Sequence, residues 1–279
     1  MDIPSDADPK TSWDKMRRFL GDADREMPLA DWFKFLQRFG EQNPALALRV
    51  FLRRTINEIT GGRETDCAIP LFGSPFGKGH KLLAATGEQP GRVLIPVFQD
   101  ELQWSLIEHP GQLTGEPKLT GLESLPLGYL SLDAAQGKTA ELNTKLFYLG
   151  PAHIIFGCVR RATRVTQVYM EERRQGGRLL IEWSQPARQL GDLQWALKLF
   201  EEKLENLNTT ENPAKALAAL LDISRFAPKA VSECIDLMGG AGYMADYGLE
   251  QILRDTLALT CIWGSVAEKR LNLDTLEEN

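Results

Sequence analysis

The sequence predicts a mainly α-helical fold carrying a small β insert, and three observations support that prediction. Long stretches after residue 150 place apolar residues at three- and four-residue steps, as in Ile155, Cys158, Ala162, Val165 and Tyr169. The first sixty residues show the same periodicity, broken by cap and stop signals. From Gly61 to Gly150, glycine and proline become frequent and the apolar runs shorten, which is the texture of strands and turns. With 279 residues and 43% hydrophobic composition, the chain can bury a substantial core as one large domain or two smaller ones. The expected division is a short N-terminal helical region (1–60), a reduced β-rich domain (61–150) and a C-terminal helical bundle (151–279).

Thr11 and Ser12 precede Met16, Phe19 and Leu20 at helical spacing and predict a capped first helix. A second is expected from Pro28 through Phe39. Asn43 and Pro44 make an N-cap and first-turn pair for a third, whose apolar positions Leu46, Leu48, Val50, Phe51 and Ile56 run toward Ile59 before Gly61-Gly62. In the insert, Val93–Phe98 and Leu102–Ile107 flank Gln99-Asp100-Glu101 as a hairpin would. Runs near Leu119 and over Leu127–Leu132 bring the expectation to four or five antiparallel strands. After Gly150-Pro151, five helices are expected. The first ends near Gly176-Gly177, the second spans Pro186 to Leu207, and the third spans Pro213 to Phe226. The fourth starts at Pro228 and stops at Gly239-Gly240, and the fifth runs from Leu249 to Ile262. Such a set suits an antiparallel bundle.

A formal net charge of −6 and a pI near 5.3 give no general attraction to polyanions, so nucleic acid is not an expected partner. Cys67, Cys158, Cys234 and Cys261 are widely separated and lack CxxC spacing, which argues against zinc and against a disulfide scaffold. Buried thiols in a reducing cytosol are expected. His80, His109 and His153 are isolated from one another, so no metal site is expected. The start MDIPSDADPK lacks the basic and apolar regions of a secretory signal. No apolar run approaches the roughly 18 residues needed to span a bilayer. The expectation is a soluble cytoplasmic protein without membrane insertion.

Two segments carry chemistry by their pattern. One is Tyr169-Met170-Glu171-Glu172-Arg173-Arg174-Gln175-Gly176-Gly177-Arg178-Leu179-Leu180, followed by Gln185 and Leu190-Gly191-Asp192-Leu193. The other runs from Cys234 to Arg270 and holds Gly239-Gly240, Gly242-Tyr243, Arg254-Asp255 and Ile262-Trp263-Gly264-Ser265. Taken singly, Gly239-Gly240 is an ordinary helix stop, and Arg173 or Arg254-Asp255 an ordinary solvated face. Their order and spacing together resemble the acyl-CoA dehydrogenase family. That resemblance implies a helical region, a β-domain, a C-terminal bundle and FAD shared across a subunit interface. It also implies that Arg173, Gln175, the backbone of Gly239 and Gly240, Asp236 and Ser265 stand where the family contacts FAD. Asp236 replaces a glutamine, Gly176 replaces an aromatic that packs on the cofactor, and Ser265 replaces a threonine.

The resemblance also shows what is missing. The family's catalytic glutamate corresponds to Trp263, and the alternative glutamate position on the preceding long helix corresponds to Phe147. An indole nitrogen only donates and a phenyl ring does neither, so neither residue can take the α-proton of an acyl-CoA thioester. Asp246, Asp255 and Glu268 remain as substitutes. Asp255 is accounted for by Arg254, and the other two are expected to face solvent. The family's flavin-shelving motifs are absent between Gly61 and Gly150.

The reading that follows is a non-catalytic subunit, similar to the β-type subunits of α2β2 bacterial acyl-CoA dehydrogenases that shorten steroid side chains. A full-length catalytic partner would hold the acyl-CoA and most of the FAD. Two alternatives stay open: a flavin-free structural or regulatory protein, and an autonomous flavoenzyme with a displaced base.

Overall fold

The computed structural model describes Met16 and residues 27–60, 67–72, 79–85, 92–98, 102–108, 114–115, 119–123, 125–132, 138–140, 143–209 and 211–278. Of the expected first helix only Met16 falls among them, and it is helical and buried. Helix α1 spans Leu29–Gln42 and α2 spans Pro44–Thr60. Asn43 separates them as expected, its Oδ1 accepting from the Leu46 amide at 3.0 Å.

Six strands follow: β1 (Cys67–Phe72), β2 (Gly79–Ala85), β3 (Arg92–Phe98), β4 (Leu102–Glu108), β5 (Leu127–Leu132) and β6 (Lys138–Ala140). They form one sheet in the order β5-β2-β1-β3-β4-β6. Only the β1–β3 pairing is parallel, and the others are antiparallel. The register of β3 on β4 closes at Phe98 opposite Leu102, while the expected turn residues 99–101 lie outside the described residues. Residues 119–123, where a strand is expected, are bend and turn, with the residues just before them outside the described ones, and β1, β2 and β6 add to the pattern read from the sequence. Short runs such as CAIPLF carry too little alternation to mark a strand whose partners lie on both sides.

Helix α3 spans Thr144–Glu172, α4 Ser184–Leu207, α5 Pro213–Met238, α6 Leu249–Thr260 and α7 Val266–Glu278. Between α3 and α4 a two-stranded hairpin pairs β7 (Arg174–Gln175) with β8 (Arg178–Leu179). Three details differ from the sequence pattern. Helix α3 begins before Gly150-Pro151 and carries Pro151 within it, with Asn143 as its cap. Helix α5 runs unbroken through Pro228 where two helices were expected. A proline inside a helix costs about 3 kcal/mol, but α5 buries Leu217, Leu220, Ile223, Ala227, Ala230, Val231, Cys234 and Ile235 along its whole length. That continuous face outweighs one lost amide. Helix α7 was not anticipated.

Helices α3 and α5 lie side by side in the core. Thr163 Oγ1 lies 3.9 Å from Cys234 Sγ, and Thr166 Oγ1 donates to the Cys234 carbonyl and reaches Met238 Sδ at 3.7 Å. Helix α1 crosses α3 at glycines: a Cβ on Gly157 would sit 2.2 Å from the Gln37 carbonyl oxygen, and one on Gly40 2.7 Å from that of Ile154. At this crossing the imidazole of His153 stacks on Phe33 with centroids 4.9 Å apart, and its Nε2 meets Asn208 Oδ1 at 3.1 Å. Burial holds His153 near pKa 4, well below the ordinary imidazole value. Ile69, Leu71 and Leu94 of the sheet join the helices in one apolar core.

Candidate functional site

The segment between α6 and α7 is a buried junction of three elements. Its centre is Trp263, 2% exposed and with φ +59°, a left-handed conformation that disfavours any side chain. Two hydrogen bonds and a ring stack hold it there. Its amide donates to the Leu71 carbonyl at 3.0 Å. The register of β1 on β2 shifts between Pro70 and Phe72, so Leu71 stands at a bulge with no partner position on β2. The indole Nε1 donates to the Phe147 carbonyl at 3.3 Å. Four residues after Phe147 stands Pro151, which has no amide hydrogen with which to make that helical bond. The indole also stacks on the Phe147 ring, with centroids 4.1 Å apart and planes at 26°.

Below the stack, Lys269 is buried and donates to the carbonyls of Thr260 and Gly264, each at 2.7 Å. A cation at the C-terminal end of α6 complements the helix dipole, while burial lowers the Lys269 pKa to about 8. Ser265 and Glu268 form a capping box for α7: the Ser265 amide donates to Glu268 Oε2 at 2.6 Å and Ser265 Oγ accepts from the Glu268 amide at 3.2 Å. Ser265 and Glu268 are therefore engaged with each other, which corrects the expectation that Glu268 simply faces solvent.

The second region is exposed. Helix α3 ends at Glu172 with Arg173 as its cap, and the β7–β8 hairpin turns on Gly176 and Gly177, with φ +59° and +84°. Two successive positive φ values are what a type I′ turn requires, so this geometry selects glycine at both positions. The Leu180 amide donates to the Arg173 carbonyl at 2.7 Å and extends the pairing by one rung. Strand alternation then puts Arg173, Gln175 and Arg178 on one face, with Arg174 and Leu179 on the other. All of these but Leu179 are exposed, as is Asp236 on the last turn of α5.

Gly239 closes α5 with φ +59°, and neither it nor Gly240 has any atom within 4 Å of where a Cβ would stand. Their backbone is open to approach from outside the chain. The two exposed pieces lie at one end of the bundle. Thr166 touches Met238, the residue before Gly239, and Tyr169 meets Tyr247 edge to face at 5.4 Å just beyond the glycine turn.

Residues 149–273 match the family model described as the acyl-CoA dehydrogenase C-terminal domain. This stretch is similar to acyl-CoA dehydrogenase C-terminal domains. The chain is 28% identical over 125 residues to a probable acyl-CoA dehydrogenase, YngJ, of Bacillus subtilis, an alignment covering 43% of this chain and 33% of that protein. The chain therefore aligns with about a third of that relative's length. The fold is acyl-CoA dehydrogenase-like. Butyryl-CoA dehydrogenase of Megasphaera elsdenii superposes with a TM-score of 0.68 at 13% identity, covering 88% of this chain and 80% of that one. A structure described as an FAD complex of PigA gives 0.69 at 12% identity over 100% and 98%. A steroid ACAD designated Tcur3481-Tcur3483 gives 0.60 at 19% identity over 77% and 63%.

In this acyl-CoA dehydrogenase-like fold, the two positions expected to lack a base touch each other. Trp263 and Phe147 fill one buried site with stacked rings. Of the substitutes weighed from the sequence, Asp246 is exposed. Asp255 is buried and accepts from the Leu122 amide at 2.6 Å and from Gln251 Nε2 at 2.9 Å. Its pKa is raised, because burial outweighs these hydrogen bonds. Arg254 pairs with Glu250 at 2.5 Å, so the expected Arg254–Asp255 surface pair gives way to a buried tie between α6 and the loop at residue 122.

The thiols also differ from expectation, since Cys158 and Cys234 are buried but Cys261 is exposed. Pattern reading missed Leu71, Pro151 and Lys269 around Trp263. Pro151, lying inside the apolar pattern of α3, was the available signal for the departure from regular bonding at Phe147. Among the described residues no helix is long and apolar enough to cross a membrane.

Proposed function

We propose that this chain is the non-catalytic subunit of a heteromeric FAD-dependent acyl-CoA dehydrogenase. A full-length partner holds the acyl-CoA thioester, the base and most of the FAD, and this chain completes the partner's cofactor site through Arg173, Gln175 and the backbone of Gly239 and Gly240. The observation that carries the reading is the Trp263–Phe147 stack. The site where a base and an acyl chain would meet is filled by two aromatic rings that can take no proton. The exposed end of the bundle keeps cationic side chains and unobstructed glycine backbone, which fit an anionic group presented by another chain.

FAD bound there would supply the hydride acceptor of the reaction. Arg173 neutralises phosphate charge, Gln175 orients by hydrogen bonding, and the open glycines allow close backbone approach. Ser265, occupied in its capping box, contributes its position at the start of α7. Asp236 is the residue least suited to a phosphate. If the chain binds no flavin in any assembly, that carboxylate favours the structural or regulatory alternative. The fold neighbour described as a steroid ACAD supports a steroid side-chain thioester as the partner's substrate.

The test is purification of the tagged chain alone and co-produced with full-length acyl-CoA dehydrogenases of the same genome, with visible spectra and dehydrogenation assays on each. The expected result is a yellow, active complex only upon co-production, with flavin content falling in an Arg173→Ala complex. Flavin and turnover in the lone chain would overturn it.

A further inference from the structure

Helix α4 buries one side and leaves the other bare. Leu190, Leu193, Leu197 and Leu204 are buried in the core, and a turn of about 100° per residue carries Trp195 and Leu199 to the opposite side of the helix. Trp195 is 60% exposed and Leu199 49%, and they stand one turn apart as a large unpartnered apolar pair. Charges on the flanks of the helix are taken up inside the chain, Glu201 by Arg160, Lys203 by Asp222 and Glu205 by Lys34. Those of the outer face are not. Arg188, Asp192 and Glu202 are exposed and make no ion pair among the described residues, while Lys198 Nζ lies 5.7 Å from the centroid of the Trp195 ring.

The charges along this face reverse sign about its centre. Arg188 and Glu202 stand seven residues before and after Trp195, and Asp192 and Lys198 three before and after. We infer that this face is the docking surface for a second copy of the same chain, the two α4 helices lying antiparallel about a two-fold axis at Trp195. Each residue then meets the one equally far beyond Trp195 on the other copy. Arg188 faces Glu202 and Asp192 faces Lys198, each twice by symmetry. Leu199 faces Gly191, which has no atom within 4 Å of where a Cβ would stand and so leaves room for it. The charged pairs lie about 10 Å and about 4.5 Å along the axis from the centre, and they rim an apolar middle of two indoles and two leucines. Other arrangements fail on the same residues. A parallel pair sets every charge against its own kind, and sliding the antiparallel pair until Trp195 meets Leu199 puts Asp192 opposite Glu202. Exposed ion pairs add little affinity, but opposed like charges are costly, so the pattern fixes direction and register.

The pairing rests on α4 alone and uses none of the residues assigned to a partner's cofactor. That each copy also serves one catalytic chain, giving an assembly with two of each, rests on the proposed function. The full-length chain is first examined by itself, by sedimentation over a concentration series. It should form a dimer, and Trp195→Asp should raise the dissociation constant at least about thirtyfold. Arg188→Glu and Glu202→Arg should each raise it about tenfold or more, since each opposes like charges at both ends of the seam. An equimolar mixture of those two variants should pair about as tightly as the wild type, because positions 188 and 202 are then opposite in sign at both ends. Circular dichroism checks that each variant folds.

A lone chain that stays monomeric throughout the series would overturn the inference. So would a dimer unmoved by Trp195→Asp, or a mixture of the charge variants no tighter than its components. In the co-purified complex, Trp195→Asp should halve the particle mass and leave the flavin content per catalytic chain unchanged. An unchanged mass would overturn the inference, and loss of the catalytic chain from the variant would do so too, by showing that α4 touches that chain instead. A dimer that obeys the charge exchange while no flavin complex ever forms would retain the pairing and sink the proposed function.

Discussion

Replacing Trp263 by Phe tests whether its indole replaces the helical bond that Pro151 cannot make. The substitution keeps an aromatic ring over Phe147 and removes only the Nε1 donor, leaving a buried carbonyl short of one partner. The expected cost is about 2 kcal/mol. In a chain of this size that lowers the melting temperature by roughly 5 °C. Pro151→Ala returns an amide hydrogen four residues after Phe147, so the carbonyl gains an alternative donor. In the Pro151→Ala background, Trp263→Phe should then cost about 1 kcal/mol less than in the wild type, a coupling of ordinary size for groups sharing one acceptor. Guanidinium unfolding of the four proteins, followed by circular dichroism, measures the cycle. Strictly additive effects would refute the argument, since they would show that the Phe147 carbonyl does not depend on the indole.

Trp263→Glu, which supplies a carboxylate at the expected base position, should cost about 4 kcal/mol or more from the lost aromatic body alone and should yield no dehydrogenation by the lone chain; turnover would contradict the plugged site. Because Trp263 has φ +59°, Trp263→Gly should be more stable than Trp263→Ala by about 1 kcal/mol despite its smaller side chain, measured in the same unfolding assay. His153 has a folded pKa near 4 against an ordinary value of 6.5, so the unfolded chain takes up the proton first as pH falls. Stability is complete above pH 6.5 and falls between pH 6.5 and 4 by about 3 kcal/mol, a loss that His153→Phe should remove from a stability-versus-pH series. Asp255→Ala should cost about 2 kcal/mol by leaving the buried Leu122 amide without its acceptor, while Asp255→Asn, which still accepts and carries no charge, should cost much less.

Local signals revealed much of the helical part and little of its joints. Asn43, Pro213 and the apolar rows of α3 and α4 are statements about a few neighbouring residues, and the structure has helices there. Pro228 misled because its local cost is visible in the sequence, whereas the burial of the whole α5 face that offsets it is a tertiary fact. Ser265 and Glu268 form a capping box that the sequence displays, and it opens a last helix whose apolar pattern is too weak to mark it. The substitution at Trp263 was readable by position alone. That its ring meets Phe147, the other altered position, required coordinates, because the two are separated by 116 residues.

The bulge in β1 bears on the order in which the chain can fold as it is made. The Leu71 carbonyl receives the amide of Trp263, a residue synthesised long after the strand that awaits it. Contacts between such distant positions form late, because the intervening chain must first be ordered. Until α6 and α7 emerge from the ribosome, the insert carries a carbonyl without its native donor and an apolar face without its cover. Nascent chains stalled before residue 263 are therefore expected to leave β1 more open to proteolysis than the finished chain does.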